Sequence, residues 1–402
     1  MILVCGGGPS GVAAAVTAAK NGRDVILVEK NACLGGTLTA SLVGIVLDDA
    51  NKKGGIIREF SDKVKVEVKE HGVPVYEAEK YILEDMCVCA GVKLIYNAFV
   101  TDVSVENGKI TSVTVISKSG KQVFLPEVVI DATGDGDVAY MAGCSFEVGN
   151  ENGETQPMSM IAVVSGIDEV QAEKMISAPE KDFWESRNLF NGLLKELGVE
   201  PSMGCANITK INESLFYLSV NHEYGYRFDN AEDLTNAMIE ARKEVYNTVK
   251  ALRNYGGAFK NITLACTPQM LGVREGRRIK AKDKVCVNDM INGVKREDGV
   301  CTATYWVDIH ALSKNNKKGF EGDNINVLPY DIPMGALIAD ECKNLLLSGR
   351  NIDGDFYSHA SYRVVGNMAC TGQAAGAIAC VMDKNKITSD EVKFNMIKEM
   401  LT

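Results

Sequence analysis

The stretch from Ile2 to Lys30, ILVCGGGPSGVAAAVTAAKNGRDVILVEK, decides the fold. Ile2 to Cys5 is a short apolar run ending in glycine, Val12 to Lys20 is alanine-rich and helical, and Asn21-Gly22 closes that helix before a second apolar run, Val25 to Val28. This order is a β-α-β unit. Gly6-Gly7-Gly8-Pro9-Ser10-Gly11 fits G-x-G-x-x-G between the strand and the helix, the context that separates a dinucleotide site from a chance match. Gly6 permits the tight turn, Gly8 lets a pyrophosphate approach the backbone, and Gly11 allows the helix to pack closely. The free N–H groups at the helix start, around Pro9 and Ser10, face the anion. Glu29, followed by Lys30, closes the second strand about twenty residues on, where a carboxylate can accept both ribose hydroxyls of an adenosine. The plain alternative is a glycine-rich turn that merely joins strand to helix, with Glu29 a solvated strand end. NAD and FAD share this fingerprint, so the rest of the chain must choose between them.

With 402 residues the chain exceeds the size at which one core stops growing, so two lobes around one cofactor are expected. Lys and Arg number 43 against 53 Asp and Glu, and the net charge of −10 would repel a phosphate backbone and an anionic membrane surface. Neither nucleic acid nor membrane is an expected partner. Twelve scattered cysteines read as free thiols in a reducing, cytoplasmic setting. The start runs at once into glycines and reads as neither secretory signal nor anchor. The apolar stretch Val364 to Met382 carries Asn367, Thr371 and Gln373 and is expected as a buried helix, not a bilayer span.

Further along, a helix is expected from Glu77 to Cys89, then strands at Lys93 to Tyr96, Val100 to Val103 and Thr111 to Ile116, the last two joined by a turn at Asn107-Gly108. Val128 to Ile130 is another buried strand. The β-α rhythm then fades into strands mixed with charged helices such as Ala231 to Arg253, and returns with a strand at Leu345 to Leu347. The expected architecture is α/β, a Rossmann-like domain from residues 1–155 and 326–402 with a second, α+β substrate or cap lobe from 156–325 inserted between.

The pieces GGGPSGVAAA with VEK, LGGTLT at Leu34 to Thr39, VIDATGDGDVA at Val129 to Ala139, LLLSGRNI and MACTGQAAGA jointly resemble FAD-dependent oxidoreductases of the glutathione-reductase-like flavoprotein superfamily. The resemblance extends to the branch that includes the flavoprotein subunit of heterodisulfide reductase. It implies FAD as cofactor and a glutathione-reductase-type FAD-binding domain. Gly35-Gly36-Thr37 would pass backbone close to the pyrophosphate and ribityl chain, which a long dinucleotide such as FAD would span. Ala132-Thr133-Gly134 ends a buried strand where ligands of open α/β sheets sit, and Val100 matches where such proteins hold adenine with backbone groups. Gly349-Arg350 follows the last strand, and the small residues Gly372-Gln373-Ala374 suggest close contact within a helix whose start, in relatives, points at the flavin. Ordinary turns and tight helix packing are the plainer readings of these glycines.

No second G-x-G-x-x-G follows a later strand, so a separate NAD(P)H domain is not expected. No C-x-x-C occurs, which argues against a redox disulfide or iron–sulfur cluster, and the four histidines show no metal-ligand spacing, so no metal is expected. The chemistry needs an acid or base and a substrate clamp. Arg274 in LGVREGRRI offers a clamp for a carboxylate or phosphate, or else part of a charged helix face. Asp308-Ile309-His310 places an acid and an imidazole on one side of a strand, with His310 as base. In DGDFYSHASYR, His359, Tyr362 and Arg363 are catalytic candidates, His359 as acid or base and Arg363 as clamp, although a lone histidine is more often structural. Asp48 and Asp49, shortly after LGGTLT, could reach the flavin but read first as an exposed acidic turn.

The expected function is hydride transfer between a small polar metabolite and flavin, with electrons passing to oxygen, a quinone or a redox protein. A flavin-carrying subunit of a larger redox or modification complex is an alternative, as is a flavin reductase or monooxygenase visited by NAD(P)H. A homo-oligomer or a redox partner protein remains open from sequence.

Overall fold

The computed structural model describes residues 1–48, 52–316, 319–321 and 325–401. The opening β-α-β unit lies at the centre of a five-stranded parallel sheet ordered Leu345–Leu347, Val128–Asp131, Ile2–Cys5, Val25–Val28, Lys93–Ile95. The runs ILVC, VILV and VVID are buried at every position, as parallel strands covered on both faces must be. Cys5 stands level with Val28 on one side and Asp131 on the other, so the carboxyl ends of these strands share one edge of the sheet. Between the strands Lys93–Ile95 and Val128–Asp131 the chain makes a three-stranded antiparallel meander, with Asn107 and Gly108 both at positive φ in the first turn.

Helix Pro9–Lys20 covers the sheet and is itself covered by helix Val365–Asn385. Their contact depends on small residues. A Cβ on Gly372 would lie 2.1 Å from the Ser10 carbonyl oxygen, and one on Gly376 2.4 Å from that of Ala14. Helix Val365–Asn385 is long and apolar enough, with mean hydropathy 1.2, to cross a membrane, so its few polar residues do not settle the matter; packing does, because 94% of its apolar window is buried in the protein.

A second, mixed sheet runs Ile176–Ser177, Asn207–Lys210, Leu215–Ser219, Ile161–Ser165, Thr263–Cys266. Its core, with Phe190, Phe216 and Phe259, is separate from the core of the parallel sheet. The division between cores departs from the expected 156–325 lobe. Ile279, Val285, Met290, Val300 and Ile309 pack into the first core, because Gly299–Ala303 pairs with Tyr330–Pro333 and lies against helix Val365–Asn385. Helix Gly55–His71 goes beyond the sequence reading. Its buried Ile57, Phe60 and Val64 follow helical spacing.

Candidate active site

The carboxyl ends of the parallel strands open into an elongated groove of about 880 Å³, open mouth included. Gly6, Gly8, Pro9 and Ser10 line it, with Glu29 and Lys30 from the second strand end, Gly36 and Thr37 from the following loop, and Val100 from the meander. Ala132, Thr133, Gly134 and Arg350, also named from the sequence, line it too. Gly6 has φ 102°, and a Cβ there would meet the Ala132 carbonyl oxygen at 2.3 Å, so the turn passes the next strand only as glycine. Gly8 faces open space. The helix begins there with no side-chain cap and no acid in its first turn, leaving its first amides and positive end to the groove. Glu29 is buried; its Oε2 accepts the Gly7 amide at 2.6 Å and its Oε1 accepts both nitrogens of Asn31 at 2.7 Å, which fixes the carboxylate at the strand end.

Other named residues shape the groove without lining it. A Cβ on Gly11 would lie 1.9 Å from the Gly6 carbonyl oxygen, the Gly35 amide donates to the Gly7 carbonyl at 2.8 Å, and a Cβ on Gly349 would lie 2.7 Å from Ser10 Oγ. Gly372, Gln373 and Ala374 do not reach the groove, contrary to expectation. They sit two turns beyond the start of their helix, where Gly372 packs on Ser10, Ala374 is fully buried, and Gln373 accepts from the Ile56 amide and donates to the Met400 carbonyl. Asp135 lines the groove, unanticipated by sequence, and holds Arg350 through a 2.7 Å ion pair. The strand-end Asp131 turns inward, accepting from Thr133 at 3.0 and 2.7 Å and from the Ala139 amide at 2.9 Å.

A second cavity of about 870 Å³, open mouth included, shares Thr37, Arg350 and Met368 with the groove. Val43, Ile45, Leu47, Ile161 and Val365 give it apolar walls, and besides the shared Arg350 its charged or titratable groups are Arg274, Asp308, His310 and Arg363. Arg274 donates to the Pro157 carbonyl at 2.6 Å and to Ser159 Oγ at 2.9 Å. Arg363 donates to the Asp308 carbonyl at 2.7 Å and to Gln156 Oε1 at 3.2 Å, and the same Gln156 oxygen receives the His310 amide at 2.8 Å. His310 Nε2 lies 3.5 Å from Asp308 Oδ1. The segment around them is irregular instead of the expected strand, yet acid and imidazole face each other.

Burial, reinforced by Arg274, pulls His310 down to about 4, so its ring is neutral at neutral pH. Burial opposes charge on Asp308 as well, but His310, Arg363 and Arg274 outweigh it and hold the carboxyl well below its usual range. Burial and Arg363 lower Arg274 to about 10, which still leaves it protonated. Three guanidinium groups and one carboxylate line the cavity; with Arg350 paired to Asp135 outside it, one positive charge remains over from Arg274, Arg363 and Asp308. The start of helix Val365–Asn385 has no side-chain cap, although its Gly366 amide donates to the Leu47 carbonyl at 3.1 Å, and with Val364 and Val365 in the wall it adds its positive end.

His359 and Tyr362 lie outside both cavities, which overturns their expected catalytic place. Both are buried in helix Phe356–Tyr362, ring against ring at 5.4 Å, with the Tyr362 hydroxyl donating to the Ile352 carbonyl. No residue of that helix lines either cavity; Arg363, just past its end, is the first that does. The arginines of LGVREGRRI also part company. Arg277 binds Asp137 and the Asp135 carbonyl, and Arg278 binds the Gly354 and Gly149 carbonyls. Asp48 is a buried carboxylate, bonded to Thr304 and 3.1 Å from Lys53, instead of part of an exposed turn; Asp49 lies outside the described residues. Sequence reasoning missed Gln156 and His222, since neither has a motif. Among the described residues no cluster of metal-ligating side chains occurs.

A family profile described as FAD dependent oxidoreductase matches residues 2–401. A solved structure of a geranylgeranyl bacteriochlorophyll reductase-like protein from Thermoplasma acidophilum is similar over 99% of this chain and 81% of its own, with TM-score 0.51 and 15% identity, a likeness of fold. A p-nitrophenol 4-monooxygenase from Pseudomonas putida is similar over 99% and 82%, with TM-score 0.48 and 11% identity. An NADH oxidase from Thermoanaerobacter brockii is 40% identical over 74 residues, 18% of this chain, and the matched segment spans only 10% of that protein's length.

Proposed function

Because the chain belongs to the FAD-dependent oxidoreductase family, we propose that it transfers hydride between its flavin and a small metabolite bearing an anionic group on an apolar body. One observation carries this reading: Arg274 and Arg363 face an apolar-walled cavity that joins the cofactor groove at Thr37, Arg350 and Met368. The groove fits the cofactor. Glu29 would hold the adenosine ribose, and the uncapped amides at Gly8 and Ser10, with Arg350, would hold the pyrophosphate. When bound, FAD supplies a two-electron hydride acceptor or donor.

The chain's own part is to bind and to move a proton. Arg274 and Arg363 clamp the anionic group, and the Val, Ile and Leu walls exclude water from the carbon frame. His310, neutral and oriented by Asp308, holds a proton at Nε2 and is the acid or base. Oxygen, a quinone or a redox protein takes the electrons at the other end. The motif resemblance at both chain ends supports a place near the heterodisulfide reductase flavoprotein branch.

The test is an anaerobic screen of carboxylate-bearing metabolites against their neutral analogues, reading flavin absorbance near ~450 nm in the oxidised protein and its recovery in the reduced one. A substrate among the anions is expected. If neutral analogues react as well as their acids, the anion clamp is wrong.

A further inference from the structure

We infer that protons reach the reaction cavity from the far side of the second lobe, along a relay from Tyr224 through His222 to His310. His310 lines the reaction cavity, and its Nδ1 lies 3.1 Å from His222 Nε2. His222 Nδ1 lies 3.2 Å from the Tyr224 hydroxyl. Tyr224 lines a separate outer cleft together with Glu223, Glu240, Glu244 and Lys314. His222 is fully buried and lines neither space, so its ring bridges them. A buried imidazole with both nitrogens engaged by a proton carrier on either side is what such a path requires.

The direction follows from donor counting. A neutral imidazole has one N–H and one acceptor nitrogen. The Asp308 carboxylate lies 3.5 Å from His310 Nε2, and its negative charge favours the hydrogen on that nitrogen. His310 Nδ1 must then accept from His222 Nε2–H, and His222 Nδ1 must accept the Tyr224 O–H. Every link points inward. When His310 gives its Nε2 proton to a substrate atom, it takes one from His222 at Nδ1, His222 takes one from Tyr224, and Tyr224 recovers one from water in the outer cleft. Each link breaks one O–H or N–H bond and forms another, so the relay moves one proton and no electrons and leaves both imidazoles as Nδ1–H tautomers.

The surroundings demand concerted transfer. Burial, Arg274 and His310 hold His222 neutral, and burial pushes Tyr224 up to about 12, so neither an imidazolium at His222 nor a phenolate at Tyr224 is a resting state. Around His310 the charged groups are Asp308, Arg274 and Arg363.

The inference rests on reading the Arg274–Arg363 cavity as the reaction site, but its test needs no substrate. The FAD-bound protein, labelled with 15N-histidine, has only four imidazoles to assign by NMR, and His71 on the surface serves as reference. His222 and His310 are expected as Nε2–H tautomers at pH 7. In Tyr224→Phe, exchange of the His310 Nε2 proton with solvent is expected to slow roughly tenfold or more. An unchanged exchange rate, or an Nδ1–H tautomer at either residue, overturns the relay. Should Tyr224→Phe fail to fold, the wild-type tautomers decide alone. Failure of the metabolite screen with the expected tautomers and exchange would sink the substrate reading and leave the relay standing.

Discussion

Arg363 donates to the Asp308 carbonyl oxygen at 2.7 Å and lies 3.6 Å from the carboxylate of the same residue. One edge of the guanidinium is therefore held by Asp308 while the residue still lines the cavity beside Arg274. Charge-assisted hydrogen bonds to a bound carboxylate contribute about 1.5–3 kcal/mol. Arg363→Gln is expected to weaken binding of benzoate, read as a shift of the flavin spectrum, about 10- to 100-fold. FAD content should not change. Equal affinity in wild type and variant would remove Arg363 from the clamp.

Glu29 accepts the Gly7 amide and both nitrogens of Asn31. Glu29→Gln keeps the shape but turns an amide donor toward one of these donors, leaving a buried N–H unpaired at a cost of about 1–3 kcal/mol. The apo variant should bind FAD roughly tenfold or more weakly in a fluorescence-quenching titration. Undiminished affinity would mean that the carboxylate serves the turn and not the ribose.

Gly372 distinguishes packing from cofactor contact. A Cβ there would sit 2.1 Å from the Ser10 carbonyl oxygen, on rigid helix backbone, so Gly372→Ala must push the two helices apart. The expected loss is about 1–3 kcal/mol of stability, visible as a lower Tm in the apo protein. A loss confined to the FAD-bound form would restore the contact first read from the motif.

Three of the four histidines, His222, His310 and His359, are buried, and burial lowers the protonation range of each below that of a free imidazole. The unfolded chain therefore binds more protons than the folded one as pH falls below about 6.5, and folding stability declines from there toward pH 4. His359→Leu, which removes a buried base lining neither cavity, should flatten that decline in denaturant melts at several pH values. An unchanged slope would show that His359 is not part of the acid sensitivity.

The first thirty residues carried the fold because their signals are local. A turn requiring glycine, a helix beginning there and an acid at the next strand end all follow from backbone geometry over short spans, and the structure sets Gly6, Gly8 and Glu29 around one groove. The DATG segment and Gly349-Arg350 were legible for the same reason, each lying at the end of a buried strand. Packing glycines misled: Gly372 is small because a helix lies on it, and a motif cannot say which neighbour demands the small residue.

From sequence alone came the α/β class, the dinucleotide turn and the candidate groups Arg274, His310 and Arg363. Tertiary structure alone decided that these three, with Asp308, share one cavity, that His359 and Tyr362 turn away from it, and that His222 and Gln156 belong beside His310. The reason is separation along the chain. Which residues of an irregular segment or helix end reach the cavity depends on what packs behind them, and for these residues that packing comes from segments 55 to 207 positions away.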